Sequence, residues 1–172
     1  MFDTLNDFAR SAIPYLELSD RFIERHQLGG RVVVDHICYK CDSASTYESM
    51  RTMLESDPPS RYFYQVHLAS RRVAYVGLRE GLLARHGPVM CIELADKKPV
   101  HEDQLGFHHI EIYPVTMPYQ DLVDELARRG ETISLKSRPH HTTHDIMLPE
   151  GFMIRLTDRP LIKQIIETEL SQ

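Results

Sequence analysis

The chain has no tryptophan, only three cysteines and no apolar run that approaches the length of a bilayer, and its charge balance leans acidic at −5. Each shortage excludes something. A membrane-spanning helix needs about 20 consecutive apolar residues, so none is expected and no membrane partner is assigned. A net negative charge argues against nucleic acid or an anionic lipid surface as partner. Cys38, Cys41 and Cys91 are odd in number and follow no disulfide-framework spacing, which predicts reduced thiols in a cytoplasmic protein. Cys38 and Cys41 spell C-x-x-C, but beside a strand rather than at the start of a helix, where the redox motif belongs. No second pair exists to complete a zinc ribbon. The opening MFDTLNDFARSAIP is acidic and amphipathic, unlike a secretory signal.

What is present in quantity is histidine, ten in 172 residues, against an otherwise ordinary 42% hydrophobic and 26% charged composition. Several are clustered: His108–His109, and His140, His141 and His144. Histidine is the commonest metal ligand and the usual proton carrier near neutral pH. The length suits a single domain, 1–172, with a sizeable core.

The order of elements can be read from periodicity and punctuation. Residues 1–30 carry Phe2, Leu5, Phe8, Ala12, Leu16, Phe22 and Ile23 at helical spacing, which predicts one or two helices broken near Pro14 and ended by Gly29–Gly30. RVVVDHICYK, 31–40, is β-branched and reads as a strand. Strict alternation would put Val32, Val34, His36 and Cys38 on one face, and Asp35 on the other. SASTYESMRTMLES predicts a helix with Ser45-x-x-Glu48 as capping box, stopped by Asp57-Pro58-Pro59. RYFYQVHL, RRVAYVGL and Val89–Ala95 then read as three strands. After the charged linker 97–105 the pattern returns: strand GFHHIEIYP, helix MPYQDLVDELARRG with Pro118 at its start and Gly130 past its end, and strands TISLKSRP, THDIMLP and FMIRLTD. RPLIKQIIETEL predicts a C-terminal helix within 159–172.

The chain thus contains two copies of a β-α-β-β-β unit, residues 31–96 and 106–158. Asp35-His36-Ile37 corresponds to His108-His109-Ile110, and Cys91-Ile92-Glu93-Leu94 to Met153-Ile154-Arg155-Leu156. The interval from His36 to Glu93 is 57 positions and that from His109 to Arg155 is 46, an excess that the polar Arg79–Gly87 stretch and its neighbouring loop can absorb. Units packed about an approximate two-fold axis would bring His36, Glu93, His109 and Arg155 together. Two imidazoles and a carboxylate suit divalent zinc, nickel, iron, manganese or cobalt, and three protein ligands leave positions open for water or substrate.

The paired units, with D-H-I and H-H-I on the first strands and P-E-G-F-M-I-R-L at the last, resemble the vicinal oxygen chelate superfamily, which includes glyoxalases, fosfomycin-resistance proteins and extradiol dioxygenases. VDHICYKC, RRVAYVGL, VMCIELAD and LGFHHIEIY, in that order, are similar to its YecM-like branch. The resemblance implies an α+β fold: two βαβββ modules forming a cupped mixed sheet, with N-terminal helices and a C-terminal helix. It implies His36, Glu93 and His109 as ligands of a divalent metal, and an enzyme of isomerase, lyase or dioxygenase type acting on a small oxygen-rich or anionic substrate. Arg155 departs from the pattern, standing where glyoxalase-like enzymes place a carboxylate. A guanidinium has no lone pair for a cation. Two readings stay open: Arg155 holds an anionic substrate beside the metal, or it pairs with Glu93 in a metal-free site that binds or sequesters a small anion.

Other residues have a bland and a functional reading. Glu111 shares the face of His109 and would contact substrate, or be a plain core or solvent contact. His141 and His144 would line the cup as substrate or acid–base groups, or belong to a polar turn. His108 alternates away from His109 and is expected to face the helices or solvent. Cys38 and Cys91 read best as small buried apolar residues. Both units lie in one chain, so a monomer and a homodimer are equally compatible with a complete site.

Overall fold

The computed structural model describes residues 2–58, 60–68, 70–98, 104–137 and 142–161. Its elements run α1 (Leu5–Arg25), β1 (Val32–Lys40), α2 (Ala44–Ser56), β2 (Ser60–Leu68), β3 (Arg71–Leu82), β4 (Val89–Ala95), β5 (Gly106–Pro114), α3 (Tyr119–Arg128), β6 (Ile133–Ser137), β7 (Thr142–Met147) and β8 (Met153–Leu156). The fold is α+β, as expected. The C-terminal helix expected beyond Leu161 lies outside the described residues, as does His141. Among the described residues no helix is long and apolar enough to cross a membrane.

The break expected at Pro14 does not occur, and one continuous helix spans Leu5–Arg25. Proline removes a single N–H and leaves Arg10 without its helical donor, and Pro14 is exposed, so water can serve that carbonyl. The start is fixed by a capping box in which Thr4 accepts from the Asp7 N–H and Asp7 accepts from the Thr4 N–H. The apolar face buries Phe8, Ala12, Leu16, Phe22 and Ile23. Tyr15 stacks between Phe107 of β5 at 4.7 Å and Phe152 at 5.1 Å. The cap of α2 also differs from expectation. Ser43 is the N-cap, accepting from the Thr46 N–H at 3.1 Å, while Glu48 reaches Arg51 and Arg72 instead. At the end of α3, Gly130 adopts φ 92°, which lets its N–H reach Ala127 O and the Glu131 N–H reach Leu126 O.

Among the described residues the strands form one eight-stranded sheet in the order β2-β3-β4-β1-β5-β8-β7-β6. Read from either edge the order is the same when the two repeats are exchanged. Within each unit the first and last strands pair in parallel, β1 with β4 and β5 with β8. The two units join through antiparallel β1 and β5 at the centre. The pseudo-two-fold axis therefore passes between these two strands.

Each central strand carries one bulge, and the bulges correct the simple alternation. Val34 pairs with Ile112 but His36 with Glu111, so Asp35 is the extra residue on β1. Cys38 pairs with His109 but Tyr39 with Phe107, so His108 is the extra residue on β5. A bulge shifts the side-chain parity of its strand. Val32, Val34 and Ile37 consequently pack into the large core against the helices, as do Phe107, Ile110 and Ile112. His36 and Cys38, by contrast, turn to the other face, where Cys38 joins Val66, Val73, Tyr75, Cys91, Ala95 and Leu161 in a smaller apolar cluster. Val32 and Val34 do not share a face with His36. The bulged residues stand beside the histidines they precede, so Asp35 and His108 are not turned away from them.

Candidate metal centre

Two short motifs facing each other across β1 and β5 make the floor of the site: His36-Ile37-Cys38 and His109-Ile110-Glu111. Their polar members are Cα partners, His36 with Glu111 and Cys38 with His109. The outer strands add one residue each: Glu93 of β4 is level with Cys38, and Arg155 of β8 is level with Glu111. His36, Glu93, His109, Glu111 and Arg155 are all buried. The structure thus brings together the four residues that the repeat predicted, and Glu111 with them.

Each histidine is oriented by its bulged neighbour. Asp35 Oδ2 lies 2.8 Å from His36 Nδ1 and also accepts the Leu161 N–H at 3.2 Å. His108 Nδ1 lies 2.8 Å from His109 Nδ1. Arg155 Nη1 donates to His109 Nε2 at 2.7 Å. A guanidinium only donates, so His109 Nε2 carries the lone pair and the ring proton sits on Nδ1, shared with His108. A histidine held at Nδ1 with Nε2 facing inward is the arrangement that prepares imidazole as a metal ligand. The rings of His36 and His109 are 5.6 Å apart between centroids and nearly perpendicular.

The charges are crowded. His36 Nε2 is 3.6 Å from Glu93 Oε2 and 4.0 Å from Glu111 Oε2, both too long for a hydrogen bond. Burial opposes charge on His36, but Glu111, the hydrogen bond to Asp35, and Glu93 outweigh it and lift its pKa to about 9. Burial also opposes ionisation of Glu93, yet His36, a hydrogen bond from Cys38, and Arg155 bring it down to about 2. Tyr75, opposite Glu93 on β3, donates its hydroxyl to Glu93 Oε2 at 3.1 Å. Glu111 has less support: burial raises it to about 7 against the pull of His36 and Arg155. Arg155 takes its carboxylate partner from β7. Its Nε donates to Asp145 Oδ1 at 2.9 Å and Nη2 to Oδ2 at 3.4 Å, while Glu111 Oε2 is 4.0 Å from Nη1. The Arg155–Glu93 ion pair open in the sequence is not formed; Glu93 faces His36 instead.

The donor set fits a divalent cation. Ligand atoms of His36, Glu93 and His109 all lie within 4.8 Å of one another. A metal at about 2.0–2.2 Å from nitrogen and oxygen donors spaces them roughly 3–4 Å apart, so small side-chain adjustments suffice. His36 Nε2 and both Glu111 carboxylate oxygens are buried without a hydrogen-bond partner, a costly condition that a cation would relieve. Two further triads, Cys38–His108–His109 and Asp35–His36–Glu111, meet the same distance condition. They are weaker candidates. Burial and the adjacent Glu93 push the Cys38 thiol well above its usual range, and Asp35 is already engaged by His36 and Leu161.

His144 is not brought to the cluster. It lies on the helix side, where the Tyr119 hydroxyl of α3 meets its Nδ1 at 2.7 Å. Sequence reasoning missed its neighbour Asp145, which alternation places on the opposite face, level with Arg155. The Pro149–Gly151 turn carried that register, since it sets the pairing of β7 with β8. Tyr75 was missed because only the β3–β4 pairing puts it beside Glu93. Asp35 and His108 were missed because a bulge leaves no mark in the hydrophobic pattern.

The fold agrees with known structures. Protein EC4020, a structural genomics target, matches with a TM-score of 0.70 at 19% identity, covering 95% of this chain and 92% of its own. The trypanothione-dependent glyoxalase I of Leishmania major matches at TM-score 0.32 and 13% identity, covering 80% of this chain and 94% of its own. The fosfomycin resistance protein FosX of Listeria monocytogenes matches at 0.29 and 9%, covering 77% and 97%. At the last two scores the likeness is partial, and the fold comparison rests on protein EC4020. None of the curated proteins matches the chain. The YecM protein family model spans residues 5–160, and with its paired units meeting at β1 and β5 the chain belongs to that family.

Proposed function

We propose that this protein binds a divalent metal through His36, Glu93 and His109 and acts as a vicinal-oxygen-chelate-type enzyme on a small oxygen-rich or anionic substrate. The observation that carries the reading is a buried cluster on the pseudo-two-fold axis. In it, both imidazoles are held at Nδ1 and turned inward at Nε2, with Glu93 within reach. Zinc, nickel, iron, manganese and cobalt all suit two imidazoles and a carboxylate. Bound there, such an ion would supply Lewis-acid stabilisation of negative charge developing on a substrate oxygen. Tyr75 restrains Glu93, and Asp35 restrains His36. Arg155, clamped by Asp145, presents Nη1 towards the same space and suits a carboxylate or phosphate group of a substrate. Isomerase or lyase chemistry, which needs a proton held and moved, suits these residues better than oxygen activation. The three cysteines are buried and none of them forms a disulfide, which suits a reducing compartment such as the cytoplasm.

Elemental analysis of the purified protein beside a His36→Ala/His109→Ala variant tests the reading. About one equivalent of metal in the parent and loss of it in the variant is the expected result; equal, negligible content in both refutes it. Proton exchange on 2-oxo or thioester substrates, against oxygen consumption with catechols, then separates isomerase from dioxygenase. A second reading is favoured by one contact, the Arg155 hydrogen bond to His109 Nε2. In a metal-free anion-binding protein that contact would persist, with His36 facing Glu93 and Arg155 paired to Asp145.

A further inference from the structure

The pseudo-two-fold axis assigns an equivalent to every residue of the cluster. His36 maps onto His109, so Cys38 maps onto Glu111, two residues further along each central strand. Cys38 is level with Glu93 on the parallel neighbour β4, and Glu111 is level with Arg155 on the parallel neighbour β8, so Glu93 maps onto Arg155. The first unit therefore has its carboxylate on the outer strand and a thiol on the inner one. The second has a guanidinium on the outer strand and its carboxylate on the inner one. The second unit has not lost a carboxylate; it carries one a single strand closer to the axis.

From this we infer that Glu111 is a fourth protein ligand of the centre, occupying the role that Arg155 cannot fill. The inference rests on the metal-binding reading above. Glu111 is the Cα partner of His36, and its Oε2 stands 4.0 Å from His36 Nε2, on the inner side of Arg155. Its side chain is fully buried, and neither carboxylate oxygen has a hydrogen-bond partner. A carboxylate offers about four lone-pair sites, and proteins leave very few such groups unpaired in their interiors. Neighbouring acceptors elsewhere in the cluster are all engaged: Glu93 by Tyr75 and Asp145 by Arg155. Glu111 alone among these carboxylates is buried and idle, and it faces the imidazole nitrogen that is also idle. Two carboxylates would balance the charge of a divalent ion, which one would not. Arg155 stays paired to Asp145 and gives up His109 Nε2 to the cation.

The test uses the full chain, stripped of metal and titrated with cobalt(II) alone. Affinity is read by competition with a chromophoric chelator, and coordination by the visible absorption of bound cobalt. The variants are Glu111→Gln, which keeps the shape, and Glu93→Gln as the reference for loss of a ligand. We expect E111Q to weaken cobalt binding at least 10-fold and to change position and intensity of the visible bands, as E93Q does. Weaker binding with unchanged bands would make Glu111 a positioning residue and overturn the inference, as would unchanged affinity. If the parent chain binds no cobalt, the metal reading itself fails and this inference with it. Circular dichroism checks folding; should E111Q not fold, Glu111→Asp is put through the same two measurements, where altered bands support the inference and unaltered bands overturn it.

Discussion

Asp35 accepts two hydrogen bonds, and both matter for His36. Its Oδ2 faces His36 Nδ1 at 2.8 Å and accepts the Leu161 N–H at 3.2 Å. The first fixes the imidazole; the second ties the segment after β8 to the side chain that does the fixing. Carboxylates in this position raise the basicity of the ligating histidine, and their loss costs roughly 10–100-fold in metal affinity. Asp35→Asn keeps the shape and removes the charge. It is expected to weaken zinc binding within that range and, because Asp35 also supports the charged His36 of the stripped protein, to lower its thermal unfolding midpoint as well. Chelator competition and a melting curve measure the two effects. The position of His36 was legible from the β-branched run and from its repeat at His109. The role of Asp35 was not, because alternation assigned it to the wrong face until the bulge was seen.

Among the secondary-structure elements, α1 and the β7–β8 hairpin carry separable predictions. Pro14 interrupts the hydrogen-bond ladder of α1 on an exposed face. Restoring the missing N–H with Pro14→Ala should stabilise the protein by about 1–3 kcal/mol, seen as a higher urea midpoint. The sequence advertised Pro14 as a break, but the packing of Phe8 and Ala12 before it and of Leu16, Phe22 and Ile23 after it holds the helix together across it. On β7 and β8, Asp145 and Arg155 are direct cross-strand partners and both buried. Removing one member of such a pair strands the other charge, at a cost of about 3–5 kcal/mol. Asp145→Asn should therefore be strongly destabilising in urea. The double variant Asp145→Asn/Arg155→Met should recover most of the loss, since an apolar replacement removes the stranded charge.

Across the molecule, the two units meet not only through β1 and β5 but also through ion pairs at the helix ends. Arg31, just before β1, reaches both oxygens of Glu125 on α3 at 3.1 and 2.7 Å, and Arg129 joins the same carboxylate at 2.6 Å. The hydrogen bond from Arg31 holds the Glu125 pKa below its ordinary value. A lowered carboxylate pKa means that the folded state binds its proton less readily than the unfolded chain does. The contribution is therefore complete above the usual carboxylate range and is lost as pH falls through the depressed value. Both partners are partly open to solvent, so roughly 0.5–1 kcal/mol is at stake. Glu125→Gln should be less stable than the parent at neutral pH, and the gap should close in acid; unfolding free energies measured from pH 7 down to 3 follow it.

The sequence by itself determined the elements, the repeat and the two histidines, because these are written in local periodicity and in the recurrence of one pattern along the chain. It also placed Glu93 and Arg155 on equivalent strands, since the repeat aligns them without any knowledge of packing. Only the tertiary structure decided which side chains share a face, since two bulged residues invert the alternation that the pattern implies. It also decided the partners of the buried charges. Arg155 faced Glu93 or a substrate in the sequence, and the pairing of β7 with β8 gave it Asp145. Glu111, one acidic residue among 25, became the carboxylate of the site without a hydrogen bond only when β1 and β5 came together and removed it from water.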